Sequence, residues 1–167
     1  MSVRTRLLLL TASIAAIALA PAVAGAAVIQ RAGPAIYYTA GQGERNDVRV
    51  SLDTLLGQTV YTFTDDDATP IGTGGQLCDL VNGIGMCASS GVTSIVVNAR
   101  DKDDTITIAT ASPLGPVLTS NTLIGGRGVD VLTGGNGADK LKGNNGKDSL
   151  RGRKGCLLYT SPSPRDS

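Results

Sequence analysis

A nine-residue period in the C-terminal part of the chain limits its possible folds more than any other feature. From Gly125 to Gly155, glycine recurs at positions one and four of each unit, aspartate at position six and leucine at position eight, without a slip in register. The repeated positions are Gly125, Gly126, Gly128, Asp130 and Leu132, then Gly134, Gly135, Gly137, Asp139 and Leu141, then Gly143, Gly146, Asp148 and Leu150, and finally Gly152 and Gly155. A flexible glycine-rich linker has no reason to fix aspartate and leucine, so the pattern indicates stacked copies of one structural unit.

The residue types at these positions suit the binding of a hard cation. Glycine adopts φ > 0 without a Cβ clash, so a turn can aim successive carbonyl oxygens inward, and aspartate adds a charged oxygen. Calcium takes about six to eight oxygen ligands at roughly 2.3–2.6 Å, which is more than one short turn can supply. Neighbouring turns must therefore share each ion.

The units resemble the G-G-x-G-x-D-x-U-x repeats of RTX, or haemolysin-type calcium-binding, proteins, over Leu123 to Gly155. In that family each nonapeptide is half a coil of a parallel β-roll, so that alternate units stack along one edge. The resemblance implies that Asp130 pairs with Asp148, and that Asp139 pairs with position 157, where this chain has leucine. The calcium ligands it implies are Asp130, Asp139 and Asp148 with the turn residues Gly125, Gly126, Gly128, Gly134, Gly135, Gly137, Gly143 and Gly146.

Departures from the pattern qualify this expectation. Asn144 and Arg153 replace the second glycine, and asparagine tolerates the left-handed region whereas arginine incurs a steric cost there. Each unit offers one leucine to a core and, besides Val131, little else that is apolar, so burial alone does not offset the ordering entropy. We therefore expect calcium binding and folding to be coupled.

The segment from Arg100 to Ile106 resembles a degenerate copy of the repeat without glycines, and we expect only a structural turn there.

The N-terminus has the pattern of a secretory signal over residues 1–26. Arg4 and Arg6 precede an apolar run, and an A-x-A cleavage site ends at Ala26, so the mature chain should begin near Ala27. A membrane anchor is the alternative, but the apolar run is shorter than the roughly 20 residues that a bilayer requires. We expect a secreted protein with no transmembrane segment in its mature chain, exported by a different route from the many RTX proteins that carry a C-terminal export signal.

The cysteine pattern agrees with export. Cys78 and Cys87 flank a glycine-rich stretch that can bend back, so in an oxidising compartment we expect a disulfide between them. The alternative is two buried free thiols, whereas a zinc site lacks further ligands because the chain contains no histidine.

The region at residues 27–118 reads as β-rich and precedes the repeats at residues 119–155. The runs Ala35 to Ala40 and Asp47 to Leu52 alternate around a glycine-containing loop and predict a β-hairpin, and Thr59 to Thr64 predicts a further strand. Two more strands are predicted at Val92 to Ala99 and Thr105 to Ala109, with a buried face formed by Ile95, Val97, Ile106 and Ile108. The predicted fold class is all-β, a β-rich region followed by a parallel β-roll.

Residues 156–167 do not continue the repeat. The segment from Cys156 to Asp166 resembles one reading frame of a sequencing adapter and begins in the middle of a nonapeptide. We interpret it as an artefactual tail, and we expect the natural protein to continue with other sequence.

These observations favour a calcium-binding structural or surface-interaction module over an enzyme. Without histidine, His-based triads and H-E-x-x-H zinc sites are excluded, and no G-x-S-x-G motif occurs. The alternative is an accessory region of a larger secreted protease or lipase whose catalytic domain lies beyond residue 155. Seven lysines and arginines against three aspartates between Gly125 and Gly155 raise the possibility of an extracellular polyanion or cell-surface partner. Specific nucleic-acid binding has no support, because aromatic residues are few.

Overall fold

The computed structural model describes residues 26–66, 72–74, 77–155 and 158–160, and for the last three only the backbone. The predicted signal peptide, apart from its last residue, and most of the predicted artefactual tail lie outside this part of the chain. Every regular element within it is a β-strand, which confirms the all-β class. The strands are β1 (Val28–Ala32), β2 (Ala35–Thr39), β3 (Asp47–Leu55), β4 (Gln58–Asp65), β5 (Gly72–Gly74), β6 (Cys78–Val81), β7 (Ile84–Ala88), β8 (Ser94–Asn98), β9 (Thr105–Ile108), β10 (Ser120–Arg127), β11 (Val131–Thr133), β12 (Lys140–Asn145), β13 (Ser149–Arg151) and β14 (Leu158–Thr160).

The strands form two sheets. The first has the order β14-β12-β10-β8-β2-β1-β5 and the second the order β13-β11-β9-β3-β4-β7-β6. From β8 to β14 the chain alternates between the sheets, and each strand pairs in parallel with the strand one coil away. The repeat region is thus a parallel β-roll, as predicted, and β2 and β3 belong to the same stack through their parallel pairing with β8 and β9.

The register of the roll follows the repeat. Leu123 pairs with Leu141 and Leu132 with Leu150, so that two nonapeptides make one coil. The preceding coil is longer, because Ile95 pairs with Asn121. The extra residues lie in the loop between β9 and β10.

The core lies between the two sheets. The leucines at position eight, Leu132 and Leu141, are fully buried, whereas Leu150 on the outermost coil is only partly buried. The predicted buried residues Ile95, Val97, Ile106 and Ile108 are all in this core, although β8 and β9 contribute them from opposite sheets.

The predicted hairpin between Ala35 and Leu52 is wrong. Strands β2 and β3 lie in different sheets, and the residues between them form the first turn of the roll. Strand β3 instead forms a hairpin with β4, and the turn between them consists of Leu56 and Gly57, which both have positive φ. Two consecutive residues with positive φ match the twist of a tight hairpin, whereas the longer connection from β2 to β3 leaves each strand free to pair in parallel.

The predicted disulfide is confirmed. Cys78 and Cys87 lie directly opposite each other in the β6–β7 hairpin, and their sulfur atoms are bonded at 2.07 Å. Both residues are buried in the core, at the end of the molecule away from the repeats. The part of the chain that the structure describes contains no helix with the length and hydropathy of a membrane span.

Candidate metal centre

The turns of the roll stack along two edges. Along the first edge, the chain passes from the first sheet to the second at residues 40–46, 99–104, 125–130 and 143–148. Along the second edge it returns at residues 109–119, at residues 134–139 and in the turn that begins at Gly152. Position six of the repeat is the last residue of each turn, so its side chains form a row along each edge.

On the first edge this row is a hydrogen-bonded ladder formed by Asn46, Asp104, Asp130 and Asp148, here called the first-edge ladder. The amide of Asn46 donates to Oδ1 of Asp104 over 2.8 Å, that of Asp104 to Oδ1 of Asp130 over 3.0 Å, and that of Asp130 to Oδ1 of Asp148 over 3.1 Å. Each carboxylate therefore binds the backbone of the preceding coil. The ladder brings together Asp130 and Asp148, as the resemblance implied.

One side-chain oxygen of each ladder residue lacks a hydrogen-bond partner. Oδ2 of Asp104, Asp130 and Asp148 and Oδ1 of Asn46 are buried and accept no hydrogen bond. A buried carboxylate oxygen without a partner is costly, and a row of such oxygens is unusual in a folded protein. A hard cation that accepts oxygen ligands would satisfy them, so the donor set fits calcium.

The glycine at position one makes room for this carboxylate. A Cβ atom on Gly125 would lie 2.1 Å from Oδ2 of Asp130, and one on Gly143 would lie 2.0 Å from Oδ2 of Asp148. Any larger residue would displace the oxygen that lacks a partner.

The glycines at positions two and four bring backbone oxygens close. Gly126 and Gly128 have φ of 123° and 141°, and a Cβ on either would lie 1.9 Å from a carbonyl oxygen of the preceding turn, that of Arg100 or Lys102. Carbonyl oxygens are calcium ligands as well, so the stacking adds neutral donors to the carboxylates.

The second edge has the same type of ladder bond, from the amide of Asn121 to Oδ1 of Asp139 over 3.2 Å, and further hydrogen bonds to this carboxylate. Oδ1 of Asp139 accepts from the side-chain amide of Asn121 over 2.6 Å, and Oδ2 accepts from the amide of Gly135 over 2.6 Å. Asp139, with Gly134, Gly135 and Gly137, thus lies on the opposite edge from Asp130 and Asp148. Its implied partner at position 157 lies outside the described residues.

Burial also governs the ionisation of these carboxyl groups. Burial raises the pKa of Asp104 to about 7, and the nearby carboxylate of Asp130 adds to the rise. The pKa values of Asp130 and Asp139 are raised as well, again mainly by burial. A dication beside them would favour the charged form and reverse this shift.

Sequence reasoning missed part of the ladder. The spacing of Asp104 and Ile106 matches positions six and eight of the repeat, but the lack of glycine in this turn predicted a structural role without a bound ion. Asn46 precedes Val48 and Asn121 precedes Leu123 with the same spacing. Both asparagines replace the aspartate that defines the pattern, so this signal was too weak to use.

The site differs from a cluster of ligating side chains. Within the described residues, no group of three or more His, Cys, Asp or Glu side chains is arranged to hold a metal ion. Each turn supplies one carboxylate, so a bound ion has to draw further oxygens from the backbone.

Comparison with known protein families agrees with this geometry. Residues 119–155 match the RTX calcium-binding nonapeptide repeat in four copies. Neither the curated proteins nor the solved structures contain a match to the chain. The repeats imply calcium binding, the aspartate ladder fits it, and residues 119–155 of this chain are RTX calcium-binding nonapeptide repeats.

Proposed function

We propose that this protein is a secreted module whose β-roll is ordered by calcium and serves a structural or surface-interaction role. The observation that carries the proposal is the row of buried oxygens without partners in the first-edge ladder. Asp130 and Asp148 would hold the ion together with carbonyl oxygens of their turns. Bound calcium supplies the positive charge and the ligand sphere that these oxygens require.

The balance of apolar and polar burial supports a structural role for the ion. The outermost coil contributes Leu150, which is only partly buried, while Asp148 and Asp130 bury charged atoms nearby. Folding of this part of the roll without a cation would bury these groups for little apolar gain. Extracellular calcium modules commonly bind at roughly 10⁻⁴ to 10⁻³ M, and we expect an affinity in that range.

Secretion is part of the proposal and has two supports. Residues 1–26 have the composition of a secretory signal. The buried Cys78–Cys87 disulfide is typical of proteins that fold in an oxidising compartment.

A calcium titration followed by far-ultraviolet circular dichroism tests the function. Calcium should increase the β-sheet signal and the melting temperature of the purified chain, whereas magnesium, which prefers stricter octahedral geometry, should do much less. An unchanged spectrum with no bound ion would contradict the proposal.

Matched variants sharpen this test. Asp148→Asn removes a ladder carboxylate and should weaken the response to calcium. Asp53→Asn removes an exposed carboxylate on β3 and should leave the response unchanged.

We also propose that the chain itself is not an enzyme. The sequence contains no histidine and no G-x-S-x-G motif, which supports a binding role.

Exposed basic side chains favour an additional role in binding an extracellular polyanion. Lys140, Lys147 and Arg151 on the repeats are exposed, and Arg100 and Arg127 line one open groove beside the first edge. Such a surface attracts anionic polymers through long-range electrostatics.

Chromatography on a polyanion column tests this role. With calcium present, the protein should be retained at low ionic strength and released by salt, because salt screens exposed charges. Elution in the flow-through at low ionic strength would reject the idea, and a column of uncharged polymer is the control.

A further inference from the structure

The turn at residues 99–104 is part of the first-edge ladder although it lies outside the matched repeats. Its backbone has the repeat conformation, since Arg100 and Lys102 have φ of 73° and 85° at the positions that Gly126 and Gly128 occupy one coil later. Residues other than glycine rarely adopt such φ angles, because their Cβ atom clashes with the backbone. Stacking on the next turn therefore holds this segment in a strained conformation.

Both turns place buried oxygens without hydrogen-bond partners along the first edge. Asp104 and Asp130 are 1% and 0% exposed, and Oδ2 of each is buried without a hydrogen-bond partner. The amide of Asp104 donates to Oδ1 of Asp130 over 3.0 Å, which fixes the two carboxylates as neighbours. The carbonyl oxygens of Arg100 and Lys102 lie against Gly126 and Gly128 of the next turn.

Burial raises the pKa of Asp104, and the nearby carboxylates of Asp130, Asp101 and Asp65 raise it further. The side chains of Arg100 and Lys102 are exposed. Asp103 accepts a hydrogen bond from the amide of Val129, and Asp101 accepts one from the amide of Gly43.

We propose that the turns at residues 99–104 and 125–130 bind a calcium ion between them, with Asp104 and Asp130 as its carboxylate ligands. The inference rests on the proposed calcium binding by the repeats and adds a site that the repeat pattern does not contain. Hard carboxylate and carbonyl oxygens in an irregular turn suit calcium better than magnesium or a transition metal. Such a site joins the repeats to the β-rich region before them.

Calcium stoichiometry of matched variants tests the site. Asp104→Asn should fold, because Asn46 and Asn121 already occupy the equivalent position in other turns. By equilibrium dialysis against radioactive calcium, this variant should bind one ion fewer per chain than the unaltered protein. Asp148→Asn should lose a different ion, the double variant should lose both, and Asp53→Asn should lose none.

The outcomes separate this site from the general function. If Asp104→Asn binds as many ions as the unaltered protein while Asp148→Asn binds fewer, the additional site is wrong and the proposed function stands. If the unaltered protein binds no calcium, both fail.

A measurement on the unaltered chain covers the case in which Asp104→Asn does not fold. Calcium binding to the unaltered chain shifts the NMR signals of the side-chain carboxyl carbons that ligate it. The carboxyl carbon of Asp104 should shift together with that of Asp148. An unchanged Asp104 signal beside a shifted Asp148 signal would overturn the proposal.

Discussion

At the scale of single residues, the roll depends on a reciprocal fit between glycine and aspartate. Gly125 leaves the space that Oδ2 of Asp130 occupies, and Gly143 does the same for Asp148. Gly126 and Gly128 instead make room for carbonyl oxygens of the preceding turn. Glycine therefore meets two different steric requirements in the repeat: space for a carboxylate oxygen at position one, and space for a carbonyl oxygen at positions two and four.

Gly128→Ala should destabilise the protein through both its φ and its neighbour. Its φ of 141° disfavours alanine, and the new Cβ would lie 1.9 Å from the carbonyl oxygen of Lys102. An unfavourable backbone conformation alone costs about 1–3 kcal/mol, so the free energy of unfolding should fall by more than this. Urea denaturation in calcium measures the change.

Gly115→Ala is the control for this substitution. Gly115 also has positive φ, 99°, but a Cβ there would meet nothing within 4 Å. It should show only the cost of the backbone conformation. Equal losses for the two variants would contradict the proposed contact between stacked turns.

At the scale of elements, the sequence predicted strands better than their partners. The predicted strand Thr59 to Thr64 is β4, and the predicted runs at Val92 to Ala99 and Thr105 to Ala109 contain β8 and β9. Local alternation identifies a strand because every second side chain faces the core. It does not identify the neighbouring strand, so the predicted hairpin of β2 with β3 was wrong.

The candidate site was likewise predictable only in part, because the sequence identified the residues within the regular repeat and missed those outside it. The spacing of Asp130 and Asp148 predicted their stacking because two nonapeptides make one coil. Asp104 lies twenty-six residues before Asp130, since the loop between β9 and β10 lengthens that coil. A fixed period could not place Asp104 in the same row, whereas the hydrogen bonds do.

At the scale of the whole molecule, the roll joins a buried row of acidic groups to an apolar core. Tyr38 from the first sheet and Phe63 from the second stack across that core with ring centroids 6.4 Å apart. The hydroxyl of Tyr38 donates to Asp65, which also accepts from Asn46 at the end of the first-edge ladder. Core packing and ladder are therefore parts of one structure, and the charge of the ladder affects the stability of the whole.

Without calcium, the stability of the protein should fall as the pH rises from about 4 to about 7. Burial raises the pKa of Asp104 from 3.8 to about 7 and that of Asp130 in the same direction. The folded protein thus holds protons more tightly than the unfolded chain, so this contribution is present below the unfolded pKa and is lost as the pH rises through the folded pKa. Thermal unfolding in calcium-free buffer across this range measures the trend.

In the presence of calcium, the decrease of stability with rising pH should disappear or become an increase. Calcium binds deprotonated carboxylates, so the increase in melting temperature on adding calcium should grow with pH. Asp104→Asn should reduce the slope in calcium-free buffer. A calcium-free stability that rises with pH over this range would show that the folded protein does not bind these protons more tightly than the unfolded chain.

The order of strands within the two sheets makes the two ends of the molecule different, and this difference bears on the direction in which the chain folds. At one end, antiparallel hairpins and the Cys78–Cys87 bond close the structure through contacts that are short in sequence. At the other, the strands of each coil pair with those of the neighbouring coils, so the order of a coil depends on the coil before it. We therefore expect the hairpin end to act as a template from which structure propagates, coil by coil, toward the C-terminus.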